Sequence, residues 1–430
     1  MNYQESLTYL DGLNKFGINL GLKRITQLLV LMGNPQNKYK TIHVTGTNGK
    51  GSTTAMLTAI LNNAKIKTGM YISPHLVSYT ERMQVNGKNI SEEDFAESIA
   101  YVSTFVDRIL AEGGESPTQF EVITAAAFYY FSKMEVEYAV IEVGLGGLLD
   151  STNVIKPEVS VITNVTFEHA DRCGGTLAGI AEHKAGIIKE GVPVITAAKG
   201  EALDIIRKVA EQKSADMFIA GEDFESFFKA FDGHKQEITF SADLMGVAMV
   251  YVLNLLGQHQ VENSAVAIMT ALVLANSEKR ITSEAIHNAL LTVSWPGRFE
   301  VLSQEDHLIL VDGAHNIAGA QSLRINLDTY FSDKEIVFLL GVLKDKDIDG
   351  ILKALVKADD SVVVTEPLSE RAAEPAYIAN KIIAKQVEVA SSIEDGLRKA
   401  SELAAGPDKI LCIAGSLYLI GAVRSLLVKA

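Results

Sequence analysis

The sequence predicts an α/β protein. A large N-terminal domain is built on a central, mostly parallel sheet with a phosphate-binding loop and a small antiparallel sheet beside it. A smaller Rossmann-like α/β domain follows. Three observations predict this. Short apolar runs such as YAVIEV (138–143) and VSVITNV (159–165) alternate with helical stretches, the pattern of buried parallel strands and their crossovers. One such run, TIHVTG, turns through glycines directly into the helical run AMLTAILNNA. And 430 residues exceed what one ordinary core holds.

Composition narrows the function. Hydrophobic residues make up 47% and charged ones 21%, which suits a globular chain. A formal charge of −14 argues against a nucleic-acid or anionic-membrane surface, so an anionic ligand needs local positive groups. Two cysteines, Cys173 and Cys412, build neither a disulfide framework nor a four-cysteine zinc site, and they suit a reduced, cytoplasmic setting. The N-terminus lacks a secretory pattern, and no apolar run reaches membrane-spanning length.

In residues 41–53, TIHVTGTNGKGST, Gly46, Gly49 and Gly51 let the backbone approach an anion and aim its N–H groups at it. Lys50 supplies a point charge for terminal phosphates, and Ser52 or Thr53 a hydroxyl for Mg²⁺. The spacing departs from G-x-x-x-x-G-K-[ST], because only Thr47 and Asn48 separate Gly46 from Gly49 and Gly51 follows the lysine. GTNGKGS instead resembles the loop of the Mur ligase superfamily, in the wording of its folylpolyglutamate and dihydrofolate synthases.

Residues 2–32 read as one or two short helices, ended by Gly33-Asn34-Pro35, and GLKRI (21–25) is similar to a family segment. A second strand, 67–72, runs into SPHLVSYTERM. There the resemblance implies that Ser73, His75 and Arg82 help enclose the substrate; the plain alternative is a polar connecting loop. Ser91 announces a helix to 110, with Glu92, Glu93 and Asp94 suiting its dipole. PTQFE (117–121) opens another helix through Met134. Thr118 and Phe120 match the family segment near the pteridine; Phe120 reads equally well as a core residue. The strand 138–143 carries Glu142 to its end, where a carboxylate needs a cation or donors. EVGLGGLLDSTN is among the most specific family matches.

The strand 159–165 ends at Glu168-His169, where the family has Asp-His, so Ser52, Glu142 and His169 form the expected metal set. TLAGIAEHKAGIIKEG (176–191) reads as a helix capped by Thr176, and the resemblance implies a carbamylated Lys184, with His183 replacing the family glutamate. A strand at 191–195 and a helix at 201–212 follow. Residues 217–252 alternate and read as short antiparallel strands beside the main sheet. GQHQVEN (257–263) opens a helix to 276 and, by resemblance, places Asn263 near the nucleotide base; a helix at 281–291 follows.

SWPGRFE (294–300) breaks the pattern, giving an ATP-binding domain at 1–296 and a glutamate-ligase domain at 297–430. The latter reads strand–helix again through HLILVDGA, EIVFLLGVL, SVVVTEP, QVEVA and KILCIAGSLYLI. The resemblance gives it Arg298 at the terminal phosphate, Asp312 at the nucleotide, His315 in catalysis and glutamate binding, and Ser416 at glutamate. Ile317 replaces the proline that follows D-G-A-H-N in the family.

Together these imply an ATP- and Mg²⁺-dependent ligase, with up to two metal ions and room for a monovalent cation. Lys50, Lys184, Arg298 and His315 would be catalytic. Gly46 through Thr53, Asn263, Arg298 and Asp312 would hold the nucleotide. The substrates would be L-glutamate and a folate or dihydropteroate, activated as an acyl phosphate, with closure of the two domains excluding water. A cell-wall peptide ligase shares this chemistry, but only forty residues precede Thr41, too few for a sugar-nucleotide domain. A nucleotide switch or motor would show an N-K-x-D or switch segment, and none is found. A monomer without nucleic-acid or membrane partners is expected.

Overall fold

The computed structural model describes residues 1–13, 17, 19–167, 172–243, 246–303 and 308–427. Contacts divide the chain into two compact units. The first comprises Met1–Ala230, Glu237–Asn254 and Gln260–Val293; the second comprises Phe231–Gln236, Leu255–His259 and Ser294–Ala430.

Unit 1 opens with helices α1 (Tyr3–Gly12) and α2 (Lys23–Leu31). Strand β1 (Lys40–Thr45) then leads through the glycine loop into α3 (Lys50–Asn63). Next come β2 (Thr68–Tyr71), β3 (Met83–Val85), β4 (Lys88–Asn89), α4 (Glu92–Ala111), α5 (Gln119–Lys133) and β5 (Tyr138–Glu142). The unit continues with β6 (Val159–Ile162), α6 (Leu177–Ala185), β7 (Val194–Thr196), α7 (Gly200–Gln212) and β8 (Met217–Ile219). These strands form one sheet in the order β4-β3-β2-β5-β1-β6-β7-β8. From β2 to β8 every pairing is parallel, while β3 and β4 run antiparallel at the edge. All five residues of β5 and all four of β6 are buried, as strands covered on both faces require.

β8 corrects one expectation. Residues 217–219 extend the main sheet in parallel, and the separate sheet of three consecutive strands consists of β9 (Glu225–Phe231), β10 (Gln236–Ala242) and β11 (Val247–Leu253). Helices α8 (Gln258–Leu274) and α9 (Ser283–Thr292) follow, and α9 packs on α3 and β11. The helix expected over 176–191 stops at Ala185. A side chain at Gly186 would collide with Leu148, so this point is where the chain lies against the turn after β5.

Two stretches that resembled family segments prove to be joined. Arg24 of GLKRI donates from Nε to Glu121 Oε2 of PTQFE at 3.0 Å. Glu121 also closes a capping box with Thr118 at the start of α5. Arg24 and Glu121 are both buried, so removing Arg24 strands the Glu121 charge.

Unit 2 contains β12 (Glu300–Ser303), β13 (Leu308–Val311), α10 (Ile317–Tyr330), β14 (Glu335–Leu340), α11 (Ile348–Leu355), β15 (Ser361–Val364), α12 (Pro375–Ala379), β16 (Gln386–Val389), α13 (Ile393–Leu403), β17 (Lys409–Ala414) and α14 (Leu417–Leu427). Its sheet runs β12-β13-β17-β14-β15-β16, parallel except for β12. The switch in strand order around β17 leaves a crevice at the carboxyl ends of β13, β17 and β14, the usual ligand position in such sheets.

Arg24→Ala is expected to lower stability by about 3 kcal/mol, because Glu121 would remain buried without its cation. Chemical denaturation measures this, and a change indistinguishable from zero would show that the pair contributes nothing.

Candidate functional site

The phosphate loop sits at the carboxyl end of β1, between the ends of β5 and β6. Gly46 has φ +154° and Gly49 φ +82°, which side-chain-bearing residues adopt only with strain. Neighbours make glycine necessary as well. A Cβ on Gly46 would overlap Thr163 Oγ1, and one on Gly49 would overlap Asn263 Oδ1. Thr163 Oγ1 donates to Asn48 O at 2.6 Å, and Asn164 Oδ1 accepts from Asn48 N at 2.9 Å. Thr47 Oγ1 bridges Thr166, accepting from its N–H at 3.0 Å and lying 3.2 Å from its carbonyl. The segment after β6 therefore moulds the loop.

Helix α3 starts at Gly49 without a side-chain cap. Its first-turn N–H groups face the loop's concavity, and the helix dipole adds positive potential there. Lys50 folds back, its Nζ donating to Gly46 O at 3.0 Å and Thr47 O at 3.1 Å. Ser52 is buried and accepts from Gln260 Nε2 at 3.1 Å; Gln260 Oε1 accepts in turn from Asn263 Nδ2 at 3.1 Å. Thr53 Oγ1 is buried with no hydrogen-bond partner among the described residues. Asn263, expected at the nucleotide base, thus rests on the loop at Gly49. Gln260, Thr163 and Asn164 were missed in the sequence. The only signal for them was their position just past a strand end or at a helix start.

Glu142 ends β5, opposite Val44 of β1, and is 5% exposed. Its Oε2 lies 3.3 Å from Ser73 N. A buried carboxylate and the Ser52 hydroxyl are hard oxygen donors of the kind Mg²⁺ takes, so this donor set fits that ion. Glu168 and His169 lie outside the described residues. Among those described, no group of three or more His, Cys, Asp or Glu side chains is placed to hold a metal.

The turn after Glu142 is heavily braced. Asp150 accepts from Leu145 N at 2.8 Å and from Thr152 N and Oγ1 at 2.9 and 2.6 Å. Asn153 Nδ2 donates to Leu148 O and Gly186 O at 3.0 and 3.1 Å, and its Oδ1 accepts from Lys189. The D-x-T-N letters are therefore spent on holding the turn, through its backbone and through one another. Burial pushes the Asp150 carboxyl up, and these hydrogen bonds work against that. Phe120 is half-buried and packs on Gly144, where a Cβ would come within 2.5 Å of the ring. Lys184 is buried on α6, and the preceding carbonyl, His183 O, would lie 2.5 Å from a Cβ on Gly147 and so forbids a side chain there.

In the SPHLVSYTER loop, Glu81 accepts from Leu76, Val77 and Ser78 N–H groups at 2.7–2.8 Å. Arg82 Nε donates to His75 Nδ1 at 2.9 Å, and the guanidinium lies 5.1 Å from the centroid of Tyr79. Burial and the Arg82 charge lower the His75 pKa to about 4, so the imidazole is neutral and its Nε2 carries the proton. Thr118 is used as the α5 cap.

Unit 2 gathers Arg298, Asp312, His315 and Ser416 at the carboxyl ends of β13 and β17. Asp312 accepts from Phe299 N at 2.8 Å and Ala314 N at 2.9 Å. A Cβ on Gly313 would meet Arg298 Nη1 at 2.7 Å. Burial raises the Asp312 pKa, and the Arg298 charge opposes this. His315 Nδ1 lies 2.7 Å from Gly313 O, and Ser416 Oγ accepts from Leu419 N at 3.1 Å. Asn316 caps α10 through Gly319 N, which accounts for a helix start without proline at Ile317.

A strand–loop–helix phosphate cradle in one unit and a second parallel sheet with its own loop cluster define a two-part nucleotide-dependent ligase. Residues 44–271 match the Mur ligase middle domain, and residues 297–417 match the Mur ligase glutamate ligase domain. The chain belongs to the Mur ligase family. Its relatives there are folate enzymes. It is 35% identical, over 98% of both chains, to the dihydrofolate synthase/folylpolyglutamate synthase of Bacillus subtilis. The structure of Mycobacterium tuberculosis folylpolyglutamate synthase complexed with ADP superposes with a TM-score of 0.87 at 31% identity, covering 100% of each chain. An Escherichia coli relative in complex with DHPP and ADP gives 0.85 at 28%, covering 99% of this chain and 97% of that one. The cell-wall alternative is not favoured by these names.

Two experiments follow. Gly49→Ala should abolish nucleotide binding, measured by calorimetry, since the side chain would be both strained at φ +82° and in collision with Asn263; ordinary affinity would refute the cradle. His43, His75 and His259 have pKa values lowered to about 3, 4 and 4. The unfolded chain, titrating near about 6.5, binds more protons below that pH, so these groups make stability rise with pH between about 4 and 6.5. His75→Gln should flatten that slope in thermal melts at pH 4.5–7.5; an unchanged slope would place the His75 pKa in the ordinary range.

Proposed function

We propose that this protein is an ATP-dependent ligase that joins L-glutamate to the carboxylate of a folate, and of dihydropteroate, through an acyl phosphate. The observation that carries this reading is a juxtaposition within unit 1. The phosphate loop ends β1, and the Glu142–Gly144 corner under Phe120 ends the adjacent strand β5. A phosphate donor and a flat, carboxylate-bearing substrate would thus meet at neighbouring strand ends. The DHPP and ADP bound together by the Escherichia coli relative support the same pairing.

The chemistry follows from charge. A carboxylate is a poor electrophile, and its attack on the γ-phosphate brings two anions together. The open N-terminus of α3 and Lys50 would offset that repulsion, which is the main task of a phosphoryl-transfer site. Lys50 is pre-positioned, since its partners among the described residues are loop carbonyls that a phosphate oxygen can replace. Ser52 and Glu142, with His169, would hold Mg²⁺, which supplies charge neutralisation at the β- and γ-phosphates. A second magnesium ion or a monovalent cation belongs to the same reading. Lys184 would be carbamylated: a buried lysine on α6, its backbone beside the Gly147 turn, would gain an anionic form that can orient that metal site. Arg298 and Asp312 are assigned to the nucleotide, and His315 and Ser416 to glutamate. The glutamate α-amine then attacks the acyl carbon, a C–N bond forms, and phosphate leaves. Residues 1–296 would serve as the ATP-binding domain and 297–430 as the glutamate-ligase domain of a cytoplasmic monomer.

Phosphate release is expected with ATP, glutamate and either tetrahydrofolate or dihydropteroate, and it should be absent without the folate. Lys50→Ala should lower kcat by about 100-fold or more while the melting temperature holds. Turnover of a UDP-muramyl peptide in place of the folates would overturn the substrate assignment.

A further inference from the structure

His43 lies in the middle of β1, where an apolar residue would pack without penalty, and it is 0% exposed. Its Nε2 is 2.8 Å from Thr152 Oγ1. Thr152 has one hydroxyl proton and gives it to Asp150 Oδ1 at 2.6 Å. Nε2 must therefore carry the proton and donate to Thr152. The other nitrogen, Nδ1, is buried with no hydrogen-bond partner among the described residues. A bare lone pair there costs less than an orphaned N–H would, so the same tautomer follows from both ends of the ring. The chain from His43 through Thr152 reaches Asp150, whose other bonds go to the Leu145 and Gly144 N–H groups. From the same strand, Thr45 Oγ1 donates to Gly146 O at 2.7 Å. β1 thus grips the Gly144–Gly146 turn from beneath while Phe120 packs on Gly144.

We propose that His43 is a positioning residue that, through Thr152 and Asp150, sets the backbone of the Gly144–Gly146 turn against Phe120 and so shapes the surface that receives the flat end of the carboxylate substrate. The kinetic consequence rests on the folate-ligase reading; the relay itself does not. The His43 ring bonds Thr152 on the turn after β5, so its influence is expected on the folate side.

The test uses the full chain with His43→Leu, His43→Gln, Thr152→Val and the His43→Leu/Thr152→Val double variant. His43→Leu and Thr152→Val should each raise the KM for tetrahydrofolate about tenfold, with the KM for ATP unchanged. The double variant should be no worse than either single one, as coupled residues require. Gln Nε2 reaches the position of His Nε2, so His43→Gln should recover most of the loss. Equal losses in His43→Leu and His43→Gln, a parallel rise in both KM values, or additive effects would each overturn the proposal. Two readouts hold whatever the substrate proves to be. ¹⁵N-histidine spectra at pH 7 should show the Nε2–H tautomer, and the Leu145 amide should exchange faster in His43→Leu. A wild-type chain that turns over no folate yet passes both would refute the function and leave the relay standing; the opposite tautomer or an unchanged Leu145 amide would refute the relay.

Discussion

The structure depends on how closely the side chains of Thr163 and Asn263 can approach the backbone at Gly46 and Gly49. The glycine loop leaves room for an anion only because its outer side is filled by other parts of unit 1. Thr163 lies against Gly46 and Asn263 against Gly49. Both contacts come from segments far away in sequence, brought there by the sheet order β5-β1-β6 and by α8. The central place of β1 is thus the condition for the cradle. A loop at a sheet edge would have one flank open to water, and its N–H groups would be solvated instead of aimed.

Several polar residues that read as chemical turn out to hold this arrangement in place. Glu121 and Asp150 are nearly unexposed carboxylates, yet Glu121 Oε2 is spent on Arg24 and a helix cap, and both Asp150 oxygens on turn amides. Glu81 is similarly spent on three consecutive N–H groups. Such bracing costs desolvation, which the hydrogen bonds offset. What it achieves is rigidity at turns whose backbone packs directly on Phe120 and on the His183–Lys184 stretch of α6. A catalytic site built for positioning needs that support more than it needs additional charged groups.

This division explains what could be read in the sequence. The strands were legible because parallel strands buried on both faces are continuous apolar runs, as in YAVIEV and KILCIA. Lys50 and its glycines were legible because their spacing is local. Thr163, Asn164 and Gln260 were not, because their partners lie roughly 115 to 210 residues away, and local periodicity carries no strand register. The strand at 217–219 was misplaced for a related reason. Three residues are too few to show whether a run joins a parallel sheet or an antiparallel one. The helix from Thr176 was drawn too long because KAGIIK keeps a helical period past Gly186, while the chain there must lie flat against Leu148.

The two units also differ at the helix N-termini that follow their strands. Each carries a strand, a short polar loop and a helix in succession: β1 into α3, and β13 into α10. The difference is who takes the helix N-terminus. In α10 the side chain of Asn316 bonds Gly319 N, and in α14 Ser416 bonds Leu419 N. Those N-terminal amides already have an acceptor within the chain. α3 begins at a glycine, which offers its first turn no side-chain oxygen. The unsatisfied N–H groups and the helix dipole then act on whatever occupies the loop, and a polyphosphate is the acceptor that answers both.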